Sequence, residues 1–198
     1  ESYNEILDAH ESWCFPTCGS AYDSAYAAKA YDAVNGYAQD FVDAVRSTGG
    51  RNRYRNLVIN TYAATPGNGT WSPYVSDPLT TLELPDDVST NHIIFQVHTY
   101  QDVSDISRVK AEVDDMYTTL QKHLVSKGAP VIIGEWGPSQ DPKTPDYIHR
   151  RESLLEFAEY FVSKAKQYDM AAFYWMGLSD GTSRSLPVFS DPESAEAI

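Results

Sequence analysis

A chain of 198 residues with a net charge of −13 repels polyanions, which argues against nucleic acid or an anionic membrane surface as its partner. Its length suits a single domain, and 42% hydrophobic and 13% aromatic residues, including 14 Tyr and 4 Trp, make a globular composition rich in rings. No apolar run approaches the ~20 residues of a membrane span, so these bulk properties fit a protein acting on a neutral ligand.

The opening stretch SYNEIL is short and half apolar and reads as a partial strand. A loop rich in Cys, Pro, Gly and Ser follows. Within it Cys14 and Cys18 of CFPTC stand four apart, a spacing that leaves a disulfide and two free thiols both open. A helix is predicted from about Ala27 to Ser47. Tyr31, Val34, Ala38, Phe41, Val42 and Val45 form one stripe, and Gly49-Gly50 ends it. NLVINTY (56–62) reads as a strand, followed by a long loop from Ala63 to Asn91 that carries Trp71 and Tyr74.

HIIFQVHTY (92–100) reads as a second full strand. A helix from about Ile106 to Ser126 then carries Ile106, Val109, Val113, Met116, Leu120 and Leu124 at three- and four-residue steps. After Gly128, APVIIGEWG (129–137) is the third full strand. Its continuous run Val131-Ile132-Ile133 is typical of strands covered on both faces. The helix from about Asp146 to Tyr168 is expected to turn Leu154, Leu155, Ala158, Phe161, Val162 and Ala165 inward. MAAFYWMGL (170–178) is the last strand, and DPESAEAI begins a closing helix.

Strands alternating with helices of this length imply parallel β/α units. One partial and four full strands make about half of a (β/α)8 barrel, which needs ~250 residues. A flavodoxin-like open sheet of five strands is the alternative. A half-barrel would leave a sheet edge and apolar surface uncovered. A further upstream portion is therefore expected, supplying strands 1–3 and most of strand 4 from the same polypeptide or a second chain. An uncovered edge also predicts that two copies could pair.

Parallel strands gather their C-terminal ends on one face, where barrel enzymes keep their chemistry. Asn4-Glu5, Asn60 and Tyr62, His98 and Tyr100, Glu135-Trp136, and Trp175 all fall at such ends. Two carboxylates flanked by aromatics suit glycosidic bond cleavage, in which an acid protonates the leaving oxygen while a second carboxylate attacks or activates water. Indole faces suit the C–H face of a pyranose, and a Tyr hydroxyl beside a carboxylate holds it ionised and oriented. Other chemistries lack their motifs. There is no G-x-S-x-G, no second His after DAHES to make H-E-x-x-H, and no phosphate loop. The five His residues, at 10, 92, 98, 123 and 149, show no metal-ligand spacing, and no cofactor is expected.

These residues resemble glycoside hydrolase family 5, retaining β-glycanases on the (β/α)8 barrel. SYNE is similar to the family's Asn-Glu at strand four, VHTY to its His-x-Tyr after strand six, IIGEWG to the nucleophile segment at strand seven, and FYWMGLSDG to strand eight. The stretch FVDAVRSTGGRNRYRNLVINTYAATP resembles the endo-β-1,4-glucanase branch called subfamily 4. The resemblance covers essentially the whole chain, as the second half of the barrel.

It implies Glu5 as general acid/base, Glu135 as nucleophile and Asn4 as the ligand of the sugar 2-hydroxyl. His98 and Tyr100 would order the carboxylates, with Trp175 as the platform under the −1 sugar. Trp136, Trp71, Tyr74 and Asp180 are further candidates for outer subsites or loop support. The implied activity is secreted endo-β-1,4-glucanase action on cellulose-type glucans, xyloglucan, mixed-linkage glucan or xylan. The alternative is a glycan-binding half-barrel without catalysis, or an inactive fragment that needs its N-terminal complement. Two features depart from the family pattern: the usual Asn-Glu-Pro reads Asn-Glu-Ile here, and the supporting Arg of strand two and His of strand three would lie upstream of Glu1.

Overall fold

The computed structural model describes residues 1–6, 23–68, 77–139 and 151–175. Cys14, Cys18, Trp71, Tyr74 and Asp180 lie outside the described residues, as does the tail beyond Trp175. The elements run α1 (Ser24–Ser47), β1 (Leu57–Asn60), β2 (Ile93–Gln101), α2 (Ile106–His123), β3 (Val131–Pro138), α3 (Arg151–Gln167) and β4 (Ala171–Tyr174), with short 3-10 turns between them. The strands hydrogen-bond in chain order, β1-β2-β3-β4. That is the order of successive β/α units in a barrel, whereas a flavodoxin-like sheet is ordered 2-1-3-4-5. The chain falls into two compact units, Glu1–Val97 with Thr118–Ile132, and His98–Tyr117 with Ile133–Ile198.

In the first unit, α1 begins at an Asp23 cap whose carboxylate accepts from the Ala25 and Tyr26 N–H groups at 2.8 and 3.0 Å. Such a cap contributes about 1 kcal/mol by satisfying N–H groups that have no helical partner. Ala27, Tyr31, Val34, Ala38 and Val42 repeat at three- and four-residue steps and are buried. Ala38 and Val42 pack with Leu57, Ile59 and Ile93, and Phe41 and Val45 cover the margin of that cluster half-buried. β1 and β2 pair in parallel, from Leu57 opposite Ile93 to Asn60 opposite Gln96.

At the end of α1, both Nε and Nη2 of Arg46 donate to the two oxygens of Asp87, at 2.8 and 2.7 Å. The loop after β1 also meets the last turn of α2. His123 Nε2 lies 3.1 Å from Asp77 Oδ1. Gly67 (φ +74°) sits where an added Cβ would come within 2.5 Å of Leu79 Cγ, so only glycine fits.

The opening segment differs from the expected strand. Residues 1–6 form no ladder but follow β1 through scattered bonds. The Ser2 N–H donates to the Val58 carbonyl at 3.1 Å, and the Ala63 N–H donates to the Ile6 carbonyl at 3.3 Å. Tyr62, expected on the rim, is instead fully buried. Its ring lies 4.6 Å from that of Tyr31 and its hydroxyl donates to Asn35 Oδ1 at 3.1 Å. It belongs to the core beneath α1.

In the second unit, α2 and α3 are joined by rings and ion pairs. Tyr117 lies 5.7 Å from Phe161 and stacks on Tyr168 at 5.4 Å. Lys164 Nζ is 2.6 Å from Asp114, whose other oxygen accepts from the Tyr160 hydroxyl at 2.8 Å. The inward face of α3 differs from expectation. Leu155 and Val162 are 43% and 51% exposed, whereas Phe157 is 1% exposed. Phe157, Phe161 and Ala165 recur every four residues and form the buried stripe, and Leu155 and Val162 stand on its flank.

Candidate active site

The second unit brings three of the expected site residues together. His98 and Tyr100 are two apart on β2 and therefore share a face of the strand. Glu135 stands on β3, just after the apolar run that fixes the strand. The Tyr100 hydroxyl donates a short hydrogen bond to Glu135 Oε2, and His98 Nδ1 lies 3.5 Å from Oε1. Each carboxylate oxygen thus faces its own side chain. His98 is almost fully buried, whereas the Glu135 side chain keeps 21% of its surface open. This carboxylate is held in a fixed direction while remaining reachable, which is what a nucleophile requires.

Trp175, directly after β4, contacts Tyr100 edge-on, with ring centroids 6.3 Å apart at 90°. Its indole is 42% exposed, so the ring that props the tyrosine also presents a surface. The Trp175 N–H donates to the Trp136 carbonyl at 3.0 Å, which sets its height against β3.

Trp136 itself is placed differently from the expected sugar contact. It is 5% exposed and stacks on Phe161 at 4.4 Å and 9°, with Phe157 and Tyr174 edge-on at 5.8 and 5.1 Å. Neighbouring side chains on a strand point to opposite faces. With Glu135 turned toward Tyr100, the indole turns into the helix packing and is a core residue.

The first unit carries Asn4 and Glu5, both exposed, in the opening segment. Glu5 has φ +46°, in the left-handed region where a residue with a Cβ is strained. The segment around it is held by a buried polar pair whose first member, Asn60, ends β1. Asn60 is fully buried and Gln96 is 7% exposed. Asn60 Nδ2 donates to Glu1 Oε1 at 2.8 Å and, through a very short contact, to the Tyr3 carbonyl. Gln96 Nε2 donates to the same Glu1 oxygen at 2.7 Å and reaches Asn60 Oδ1 at 3.4 Å. The Tyr3 hydroxyl, pushed up to about 12 by burial, donates to the Asn60 carbonyl at 3.4 Å. Gln96 interrupts the apolar run IIFQV, a visible sign that this strand buries a polar group at that position. Trp71, the remaining expected contact, lies outside the described residues.

The sequence profile of the cellulase family, glycosyl hydrolase family 5, matches residues 1–180. The chain is 30% identical over 156 residues to endoglucanase 1 of Ruminococcus albus, covering 74% of this chain and 34% of that protein. It is 27% identical over 169 residues to a xyloglucan-specific endo-β-1,4-glucanase of Bacteroides ovatus, covering 73% of this chain and 32% of that protein.

Among solved structures, a subfamily 4 broad-specificity endoglucanase from an uncultured bacterium superposes with a TM-score of 0.82 at 47% identity, over 100% of this chain and 54% of that one. A family 5 enzyme from Prevotella bryantii B14 gives a TM-score of 0.69 at 36% identity, over 98% and 54%. The chain therefore spans about a third of the length of these curated relatives and about half that of the solved chains. Its strands and helices are β/α units of the (β/α)8 barrel, and the chain belongs to glycosyl hydrolase family 5.

Proposed function

We propose that this chain carries the two catalytic carboxylates of a retaining endo-β-1,4-glucanase acting on cellulose-type β-glucans, xyloglucan included. The observation that carries the reading is the Glu135 carboxylate, bound by the Tyr100 hydroxyl on one oxygen and faced by His98 on the other. The endoglucanase and xyloglucanase names of the relatives support the substrate class.

In this reading a Glu135 oxygen attacks the anomeric carbon as the glycosidic C–O bond breaks, and the Glu5 carboxyl gives its proton to the departing oxygen. Glu5, now ionised, takes a proton from water as the water oxygen displaces Glu135 from the same carbon, so the configuration is retained. Asn4 would bind the 2-hydroxyl and Trp175 would lie under the sugar at the point of cleavage. A polymeric glucan is met outside the cell, so the enzyme would be secreted. The first β/α units of the barrel, in the same polypeptide or a second chain, would cover the face of β4 on which Ala171 and Phe173 are exposed.

The test is Glu135→Gln in the encoded full-length polypeptide, assayed by reducing-sugar release from mixed-linkage β-glucan and carboxymethyl cellulose. Loss of at least 1,000-fold in kcat, on the order of 4 kcal/mol, with parent products released as the β-anomer, supports the reading. A variant within a few-fold of the parent, or an α-anomeric product, refutes it.

A further inference from the structure

The route by which the fold holds Glu5 is legible within the first unit. Residues 1–6 are anchored at two backbone carbonyls, Tyr3 and Ile6, the first by the Asn60 side chain and the second by the Ala63 N–H. Only Asn4 and Glu5 lie between those anchors, and Glu5 is the residue whose backbone is left-handed, with φ +46°. Ala63 and Ala64, which follow β1 and supply the second anchor, are themselves left-handed at φ +47° and +53°. Three strained non-glycine residues thus meet at one join. Strain of this kind costs on the order of 1–3 kcal/mol per residue and persists only where surrounding bonds enforce it.

The Asn60–Gln96 pair has the features of such an enforcer. The two are register partners in the parallel β1–β2 ladder, and their amides meet on the same face. Both donors of the Asn60 amide are used, on Glu1 Oε1 and the Tyr3 carbonyl, and its oxygen faces Gln96. Gln96 in turn binds the same Glu1 oxygen, so three side chains lock into one position. Burying two amides brings no net gain over an apolar pair of the same size. An apolar pair would leave the Tyr3 carbonyl without its donor and Glu5 without its fixed approach.

We propose that Asn60 is a positioning residue for Glu5, acting through the Tyr3 carbonyl, with Gln96 holding the Asn60 amide in register. The proposal rests on Glu5 being the acid/base of the reaction above. Asn60 touches neither substrate nor reacting atoms. Its effect is to keep the Glu5 carboxyl aimed, and a misplacement of about 1 Å costs on the order of 100-fold in rate.

The experiment uses Asn60→Leu and, should that variant not fold, Gln96→Met, in the encoded full-length polypeptide. Two substrates separate the roles. Mixed-linkage β-glucan needs a proton on its leaving oxygen, whereas dinitrophenyl β-cellobioside does not. The expected result for Asn60→Leu is a fall of about 100-fold in kcat on β-glucan with KM within three-fold. The pre-steady-state burst of dinitrophenolate stays within three-fold of the parent, and azide accelerates the steady-state phase. Gln96→Met shows the same pattern at about ten-fold.

Unchanged β-glucan turnover overturns the proposal. A burst that falls in parallel with turnover also overturns it, because that marks general damage rather than a misplaced acid. A crystal structure of the variant gives a readout independent of activity: Glu5 leaving the left-handed region supports the proposal, and Glu5 unmoved at φ near +46° overturns it. If the parent hydrolyses neither substrate, the glucanase reading fails, and the crystallographic arm still decides whether Asn60 sets the Glu5 backbone.

Discussion

The Tyr100 hydroxyl and the Glu135 carboxylate, 35 positions apart in the chain, share a short hydrogen bond between β2 and β3. Tyr100 is itself held, since the Trp175 indole meets its ring edge-on. The ordering of Glu135 on β3 therefore draws on β2 and on the residue that follows β4, neither of which is near it in sequence.

Removing that donor without changing the ring tests its share. Tyr100→Phe is expected to lower kcat on β-glucan by about 10- to 100-fold, since a hydrogen bond to a charged group is worth ~1.5–3 kcal/mol. KM should change little, since in the proposed mechanism the bond orients the nucleophile and does not hold sugar. Steady-state kinetics of purified parent and variant check this, and a changed KM with kcat intact would count against the role.

The Arg46–Asp87 pair makes a pH-dependent contribution to stability. Both side chains are only 5% exposed. The hydrogen bond from Arg46, helped by the Ser89 N–H, holds the Asp87 carboxyl below the usual carboxylate value against the opposing effect of burial. A carboxyl depressed in the folded state stabilises above its ordinary value of ~3.9 and loses that contribution as pH falls through the lower folded value. Asp87→Asn should cost about 3 kcal/mol at pH 7, because it strands a buried guanidinium. The gap between parent and variant should narrow below pH 4 in urea unfolding curves.

Buried phenols set the alkaline limit. Burial pushes the hydroxyls of Tyr3 and Tyr62 up to about 12. A group raised in the folded state stabilises fully below its ordinary value, near 10 for tyrosine, and loses that contribution as pH rises through the folded value. Absorbance at 295 nm should show a late tyrosine fraction that ionises only near pH 12 or above, Tyr117 among it because burial raises its hydroxyl too. Denaturant midpoints should fall between the ordinary and the folded values.

The α3 packing depends on the ring cluster rather than on the flank. Phe161→Ala removes the partner of Trp136, Phe157 and Tyr117 and should cost ~3–5 kcal/mol. Leu155→Ala, at a 43% exposed site, should cost well under 1 kcal/mol in thermal unfolding.

Much of this was visible in the chain itself. Continuous apolar runs such as Val131-Ile132-Ile133 mark buried strands, and the four full strands lie where those runs do. Glu135, His98 and Tyr100 were legible because chemistry-bearing residues sat at strand ends, where apolar packing does not require them. The failures have a common cause. Periodicity identifies a helical stripe only to within one neighbour, so Leu155 and Val162 took the place of Phe157. Ring type does not reveal which way a side chain points, so Trp136 on β3 and Tyr62 in the turn after β1 both suit a rim while packing into cores. The holding of Glu5 needed the register of Asn60 opposite Gln96, a relation between distant strands that no local pattern encodes.

In the proposed double displacement the Glu135 carboxylate becomes bonded to sugar during turnover. Incubation of the encoded full-length polypeptide with dinitrophenyl 2-deoxy-2-fluoro-β-cellobioside, followed by proteolysis and mass spectrometry, reads that bond directly. One fluorocellobiosyl adduct is expected, on Glu135, forming as activity is lost. An adduct on another residue, or a hydrolytically active enzyme that forms none and releases inverted product, would contradict this mechanism.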